Sequence, residues 1–193
     1  MFDTDTFRKH LGPILVALLC AGCGGTTPTV YNRLDPYTGV TVTAATQPLV
    51  FYRDRSAQAA YARDFVYLGP IEVNNMGQLN YYIWLGIWGS SESTDRGSQM
   101  NDFETVVIYA DGEPLGLEVD GWTPQSISLS ESAYVTPVAT ATDGYYRVTI
   151  DQIRLMAEAT DLEIRAGSAH SQTYFPWDSA SSASIRAFVR EVL

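Results

Sequence analysis

Leu79-Asn80-Tyr81-Tyr82-Ile83-Trp84-Leu85-Gly86-Ile87-Trp88 is the stretch on which the fold turns. It is rich in aromatic and aliphatic residues, which predicts a strand, and its apolar character is that of a strand buried on both faces. Successive side chains of a strand point to opposite faces. Leu79, Tyr81, Ile83, Leu85 and Ile87 therefore share one largely aliphatic face, while Tyr82, Trp84 and Trp88 share an aromatic face around Gly86. The aliphatic face predicts core. The aromatic face has two readings: it packs beneath a helix such as Ile185 to Val192, or it is an open row that stacks on sugar rings or receives a peptide. Packing is the expectation, because large exposed aromatic patches are unusual on a soluble domain.

Working outward, Asn74-Asn75-Met76-Gly77 reads as a hairpin turn that joins this strand to another over Phe65 to Val73. Further strands are predicted over Val40 to Thr43, Pro48 to Arg53, Phe103 to Ala110 and Leu115 to Val119. Asp111-Gly112 supplies the positive φ values of a second tight hairpin. Gly89 to Asp102 reads as a polar loop, and the Ala-containing Ser56 to Arg63 as a short helix. Asp35-Pro36-Tyr37-Thr38-Gly39 is a turn, and structure is expected to begin there.

The final third changes character. Tyr145 to Ile150 reads as a strand, Thr149 and Gln152 fit a capping box, and a short helix should run to about Ala159. Leu162 to Arg165 returns as a strand. Ile185, Phe188, Val189 and Val192 fall on one face of a terminal amphipathic helix. Strands first and helices late give an α+β class, mainly antiparallel β and sandwich-like, with helices over one end or face of a single domain at residues 35–193.

Charge narrows the partners. Of 193 residues, 12 are Lys or Arg against 22 Asp or Glu, a net charge of -10. No basic surface is available to wrap phosphate backbones, which argues against nucleic acid. Both cysteines, Cys20 and Cys23, lie near the start of the chain. The folded part therefore has no thiol for a disulfide or a thiolate metal site.

That start has its own anatomy. Arg8, Lys9 and His10 precede an apolar run from Leu11 to Leu19, and Ala21 and Gly22 stand before Cys23. A basic segment, a short apolar segment and small residues form a signal peptide, and the run falls short of the ~20 residues of a membrane-spanning helix. Leu19-Cys20-Ala21-Gly22-Cys23 resembles the lipobox of bacterial lipoproteins, with Cys20 where Leu usually stands. The resemblance implies cleavage before Cys23, lipidation of that cysteine, and a mature N-terminus with its tether over residues 23–34. More than one acyl chain gives a stable anchor. Gly24 stands where Asp would retain such a lipoprotein in the inner membrane, so the resemblance implies the outer membrane, and the periplasmic face is expected.

Residue type offers two further candidate sites. His170, in Gly167-Ser168-Ala169-His170-Ser171 and near Asp161 and Asp178 in sequence, would serve as the base of an envelope hydrolase, but no nucleophile elbow accompanies it. Asp95, Asn101, Asp102 and Glu104, and separately Asp111, Glu113, Glu118 and Asp120, offer oxygens to a hard cation without the spacing of a known loop. Neither carries the expectation. The sequence points to a non-enzymatic, lipid-anchored envelope protein without cofactor or metal, which binds another envelope protein; glycan or small-molecule binding by the aromatic face is the alternative.

Overall fold

A computed structural model describes residues 29–55, 62–89, 96–178 and 182–193. The strands are β1 (Val30–Leu34), β2 (Thr41–Ala45), β3 (Leu49–Asp54), β4 (Arg63–Asn75), β5 (Gln78–Gly89), β6 (Thr105–Ala110), β7 (Glu113–Gly121), β8 (Thr142–Val148), β9 (Leu162–Ala166) and β10 (Gln172–Pro176). The described residues also form the helices α1 (Arg96–Asp102), α2 (Ile150–Glu158) and α3 (Ala183–Val192). Both predicted hairpins form. Met76 and Gly77 turn with φ of 51° and 93°, Asp111 and Gly112 with 51° and 86°, the left-handed pairs that tight antiparallel turns need.

The class is mainly antiparallel β with helices, but the sandwich is corrected to a closed barrel. Eight strands run in the ring β4-β3-β10-β9-β6-β7-β8-β5, and β5 returns to β4. Closure depends on β10, which pairs with β9 at Gln172 to Tyr174 and with β3 at Phe175 and Pro176. Trp177 N–H extends that seam to the Val50 carbonyl at 2.8 Å. With both partners in place the ring presents no free edge, which an open pair of sheets would have to protect.

Outside the ring, β2 pairs with the far half of β4, and β1 with β2. Residues 30–34 of the expected tether are thus a strand, and the fold begins before the Asp35 turn. The predicted polar loop also contains α1, while the helix expected over Ser56 to Arg63 lies largely outside the described residues and Arg63 itself opens β4.

Two apolar layers result. Inside the barrel, Phe51, Val66, Leu68, Ile83, Leu85, Ile108 and Ile164 are fully buried. Ile153 and Met156 of α2 and Ile185 and Phe188 of α3 complete this core. The Thr149 hydroxyl accepts the Gln152 N–H at 3.2 Å and the Gln152 side chain accepts the Thr149 N–H at 2.8 Å, the expected capping box. Outside the barrel, residues 122–141 between β7 and β8 form a strap that buries Ile127, Leu129 and Tyr134 against β2, β4, β5 and β8.

One carboxylate ties the strap to the turn between β1 and β2. Asp35, 1% exposed, accepts the Ser130 N–H at 2.7 Å, the Ser130 hydroxyl at 2.8 Å, and the Tyr37 and Thr38 N–H groups at 3.0 and 3.2 Å. These bonds, the Ser130 N–H foremost, hold its carboxyl well below the usual carboxylate range. A depressed folded-state pKa stabilises the fold above the unfolded value of about 3.9 and loses that contribution as pH falls toward the folded value. Melting temperature should therefore fall on acidification below about pH 4 more steeply in the wild type than in Asp35→Asn, which should melt lower at neutral pH. Parallel acid limbs for the two proteins would contradict this tie.

Candidate functional site

The aromatic face of β5 divides into two fates. Tyr82 and Trp84 are 3% and 0% exposed, as packing requires, but their cover is the strap and not α3. The indole of Trp84 stacks on Tyr134, with centroids 4.8 Å apart and planes 19° apart, and donates to Asp143 Oδ1 at 2.9 Å. It also lies over Gly86, where a Cβ would stand 2.5 Å from Cη2. α3 takes the other side, packing on α2 and reaching β1, β2 and β4. Tyr82 and Trp84 are thus unavailable to stack on a sugar.

Trp88 belongs elsewhere. Strand register places Phe175 opposite Tyr52, Tyr52 opposite Phe65, and Phe65 opposite Trp88, so one rung of four aromatic side chains crosses β10, β3, β4 and β5. Their alternation with buried Tyr174, Phe51, Val66 and Ile87 sets the rung on the barrel exterior. Phe65 and Trp88 stack at 4.6 Å, and Trp177 meets Tyr52 edge-on at 5.3 Å. The Arg63 guanidinium lies 5.3 Å from the Tyr52 ring and 5.2 Å from that of Trp177, within cation–π range. Phe175 and Trp177 remain 50% and 54% exposed. Of this face, sequence reasoning named only Trp88, since the signal lies in cross-strand register.

At the end of the barrel where β3 and β5 finish and β10 begins, a cavity of about 200 Å³ opens, lined by Arg53, Asp64, Trp88, Gln99, Asp102 and Tyr174 among others. Arg53 and Arg55 both contact Asp64, at 2.5 and 3.3 Å. The Arg53 guanidinium lies 5.2 Å from the Tyr174 ring centre, and burial raises the Tyr174 hydroxyl above its ordinary pKa. Gln172 donates to Asp102 Oδ2 at 2.7 Å, and Thr142 donates to Gln99 Oε1 at 2.7 Å.

His170 lines a shallow depression with Val106, Val107, Gly116, Leu117 and Glu118, and its Nδ1 is buried without a hydrogen-bond partner among the described residues. No Ser or acidic side chain is brought to it by a described hydrogen bond, as a base would need. Two of the acidic residues serve the fold: Asp111 accepts the Thr160 and Asp161 N–H groups at 3.0 and 2.8 Å, and Asp102 accepts the Gln172 amide. Among the described residues no group of three or more such side chains is placed to hold a metal. Asp95 and Cys23 lie outside the described residues. No described helix is long and apolar enough to cross a membrane.

No known protein family, curated protein or solved structure matches this chain.

Proposed function

We propose that this chain is a lipid-anchored protein of the bacterial cell envelope, held at the outer membrane through Cys23 and facing the periplasm, whose barrel docks another envelope protein without catalysing a reaction. The anchor rests on Ala21-Gly22-Cys23 after the short apolar run. The docking reading is supported by the exterior rung Phe175-Tyr52-Phe65-Trp88 with Trp177 and Arg63 beside it. Trp, Tyr and Arg dominate binding energy at protein interfaces, where large rigid rings seat in apolar pockets. A net charge of -10 favours a partner with a basic rim around the apolar contact, which steers the encounter.

Anchor and docking are tested separately. Labelled palmitate should enter the wild type and Cys20→Ala but not Cys23→Ala; label persisting in Cys23→Ala would refute the anchor. In mild detergent the wild type should migrate on a native gel as a complex, and a Phe175→Ser, Trp177→Ser double variant should migrate alone at an unchanged melting temperature. The rings are half exposed, so their loss should cost little stability. Identical migration of the two proteins would refute docking by this face.

A further inference from the structure

Barrel closure leaves β1 as the outermost strand, with β2 on one side and no strand on the other among the described residues. The Asp35 N–H donates to the Val40 carbonyl and the Thr46 N–H to the Thr29 carbonyl, so the odd-numbered residues of β1 exchange backbone bonds with β2. The N–H and C=O groups of Val30, Asn32 and Leu34 therefore point outward, and they have no hydrogen-bond partner among the described residues. Such an edge is a template for another strand unless charge, proline or a cover blunts it. Arg33, the one charged residue of β1, is drawn aside to Glu131 of the strap. Asn32 and Leu34 are exposed, Leu34 at 63%.

We propose that two copies of this chain pair antiparallel through β1, about a two-fold axis at Asn32. Val-Tyr-Asn-Arg-Leu is complementary to its own reverse. In this register Val30 meets Leu34 of the second copy and Asn32 meets Asn32, which engages all three outward residues of each chain in an isologous contact. Side chains agree with the backbone. Val30 lies beside Leu34 and the two Asn32 amides face each other, while on the opposite face Tyr31 lies beside Arg33, so no like charges are opposed. A slip of two residues gives up one of the three pairs and sets Pro28 or Pro36, which have no N–H, opposite a strand residue. Five-residue strands bury little against the ~1,200–2,000 Å² of stable interfaces, so the dimer is weak and separates on a dilute gel. Lipid anchors at Cys23 would confine both copies to one plane and raise their effective concentration. Only this strengthening rests on the anchor proposed above.

Cα atoms of a hydrogen-bonded antiparallel pair stand ~5.5 Å apart, within reach of a disulfide. The full chain with Cys20→Ala and Asn32→Cys, oxidised in the membranes of the cells that make it, should give a disulfide-linked dimer. Cys20→Ala alone, or with Met76→Cys at an exposed turn, should not. Val30→Cys and Leu34→Cys chains expressed together should link to each other and neither to itself, since like positions lie four residues apart along the pair. The Phe175→Ser, Trp177→Ser variant should still link through position 32, because the rung takes no part. Palmitate labelling separates this proposal from the anchor: a crosslink without label supports the pairing and removes the anchor, whereas label without a crosslink overturns the pairing and leaves the anchor. The pairing is equally overturned by self-linking of Val30→Cys, which means another register, or by an adduct of Asn32→Cys with a different protein, which means that the edge takes a foreign strand.

Discussion

Trp84→Ala should lower stability by about 3–5 kcal/mol, a large share of the ~5–15 kcal/mol of a domain this size. The indole is fully buried outside the barrel wall, between Gly86, Tyr134 and the strap, so truncation loses its burial and opens a cavity that the sheet beneath cannot collapse to fill. It also withdraws the donor from Asp143. Trp84→Phe keeps most of the ring contact and should cost less, with about 1 kcal/mol from the lost hydrogen bond. Denaturant titrations of the three proteins measure both steps. A Trp84→Ala protein within about 1 kcal/mol of wild type would mean that the strap does not bury this face.

Gly69→Ala should be nearly as damaging, although it adds a single methyl group. β4 pairs with β3 up to Leu68 and with β2 from Ile71, and the change of partner happens at Gly69-Pro70. The Tyr134 hydroxyl enters this gap, donating to the Pro70 carbonyl at 2.7 Å and accepting the Ala45 N–H at 3.2 Å. Its burial raises that hydroxyl's pKa well above the ordinary tyrosine value. A Cβ at Gly69 would stand 2.2 Å from Tyr134 Cζ. The ring cannot retreat without giving up both bonds and its stack on Trp84, so overpacking and lost buried hydrogen bonds should together cost about 3–5 kcal/mol. The cause can be isolated with a double-mutant cycle: in a Tyr134→Ala background, Gly69→Ala should cost less than about 1 kcal/mol. Additive effects would place the strain elsewhere.

What the sequence makes legible follows from what alternation and turn chemistry encode. β5, β6 and β7 and both hairpins are local patterns, and the capping box of α2 and the apolar face of α3 are equally local. β10 is not, because Gln172-Thr173-Tyr174-Phe175-Pro176 is short, contains a proline, and pairs over only two or three residues on each side. Missing that strand leaves two sheets where the protein has a barrel, so a five-residue omission changes the architecture. β1 is equally short and lies on an edge. α1 has no acidic residue in its first turn and no basic one in its last, so its ends carry no charge signal within a polar stretch. The strap that covers Tyr82 and Trp84 holds by isolated residues such as Ile127, Leu129 and Tyr134 rather than by a period.

The exterior rung was hidden for a related reason. Phe175, Tyr52, Phe65 and Trp88 are each ordinary outward residues of separate strands, and only the pairing of β10 with β3, β3 with β4 and β4 with β5 sets them side by side. The Arg53, Asp64 and Asp102 charges of the mouth likewise come from three elements and meet only once the barrel closes.

Docking through the rung is tested most directly by photo-crosslinking in the cells that make the protein, with a photoreactive side chain placed at position 175, at position 177, or at Met76, a turn residue 97% exposed. Positions 175 and 177 should each give the same discrete adduct with one envelope protein, and position 76 should not. The adduct should weaken when Cys23→Ala releases the chain from the membrane. No adduct from 175 or 177, or the same adduct in equal yield from 76, would contradict an aromatic docking face on this barrel.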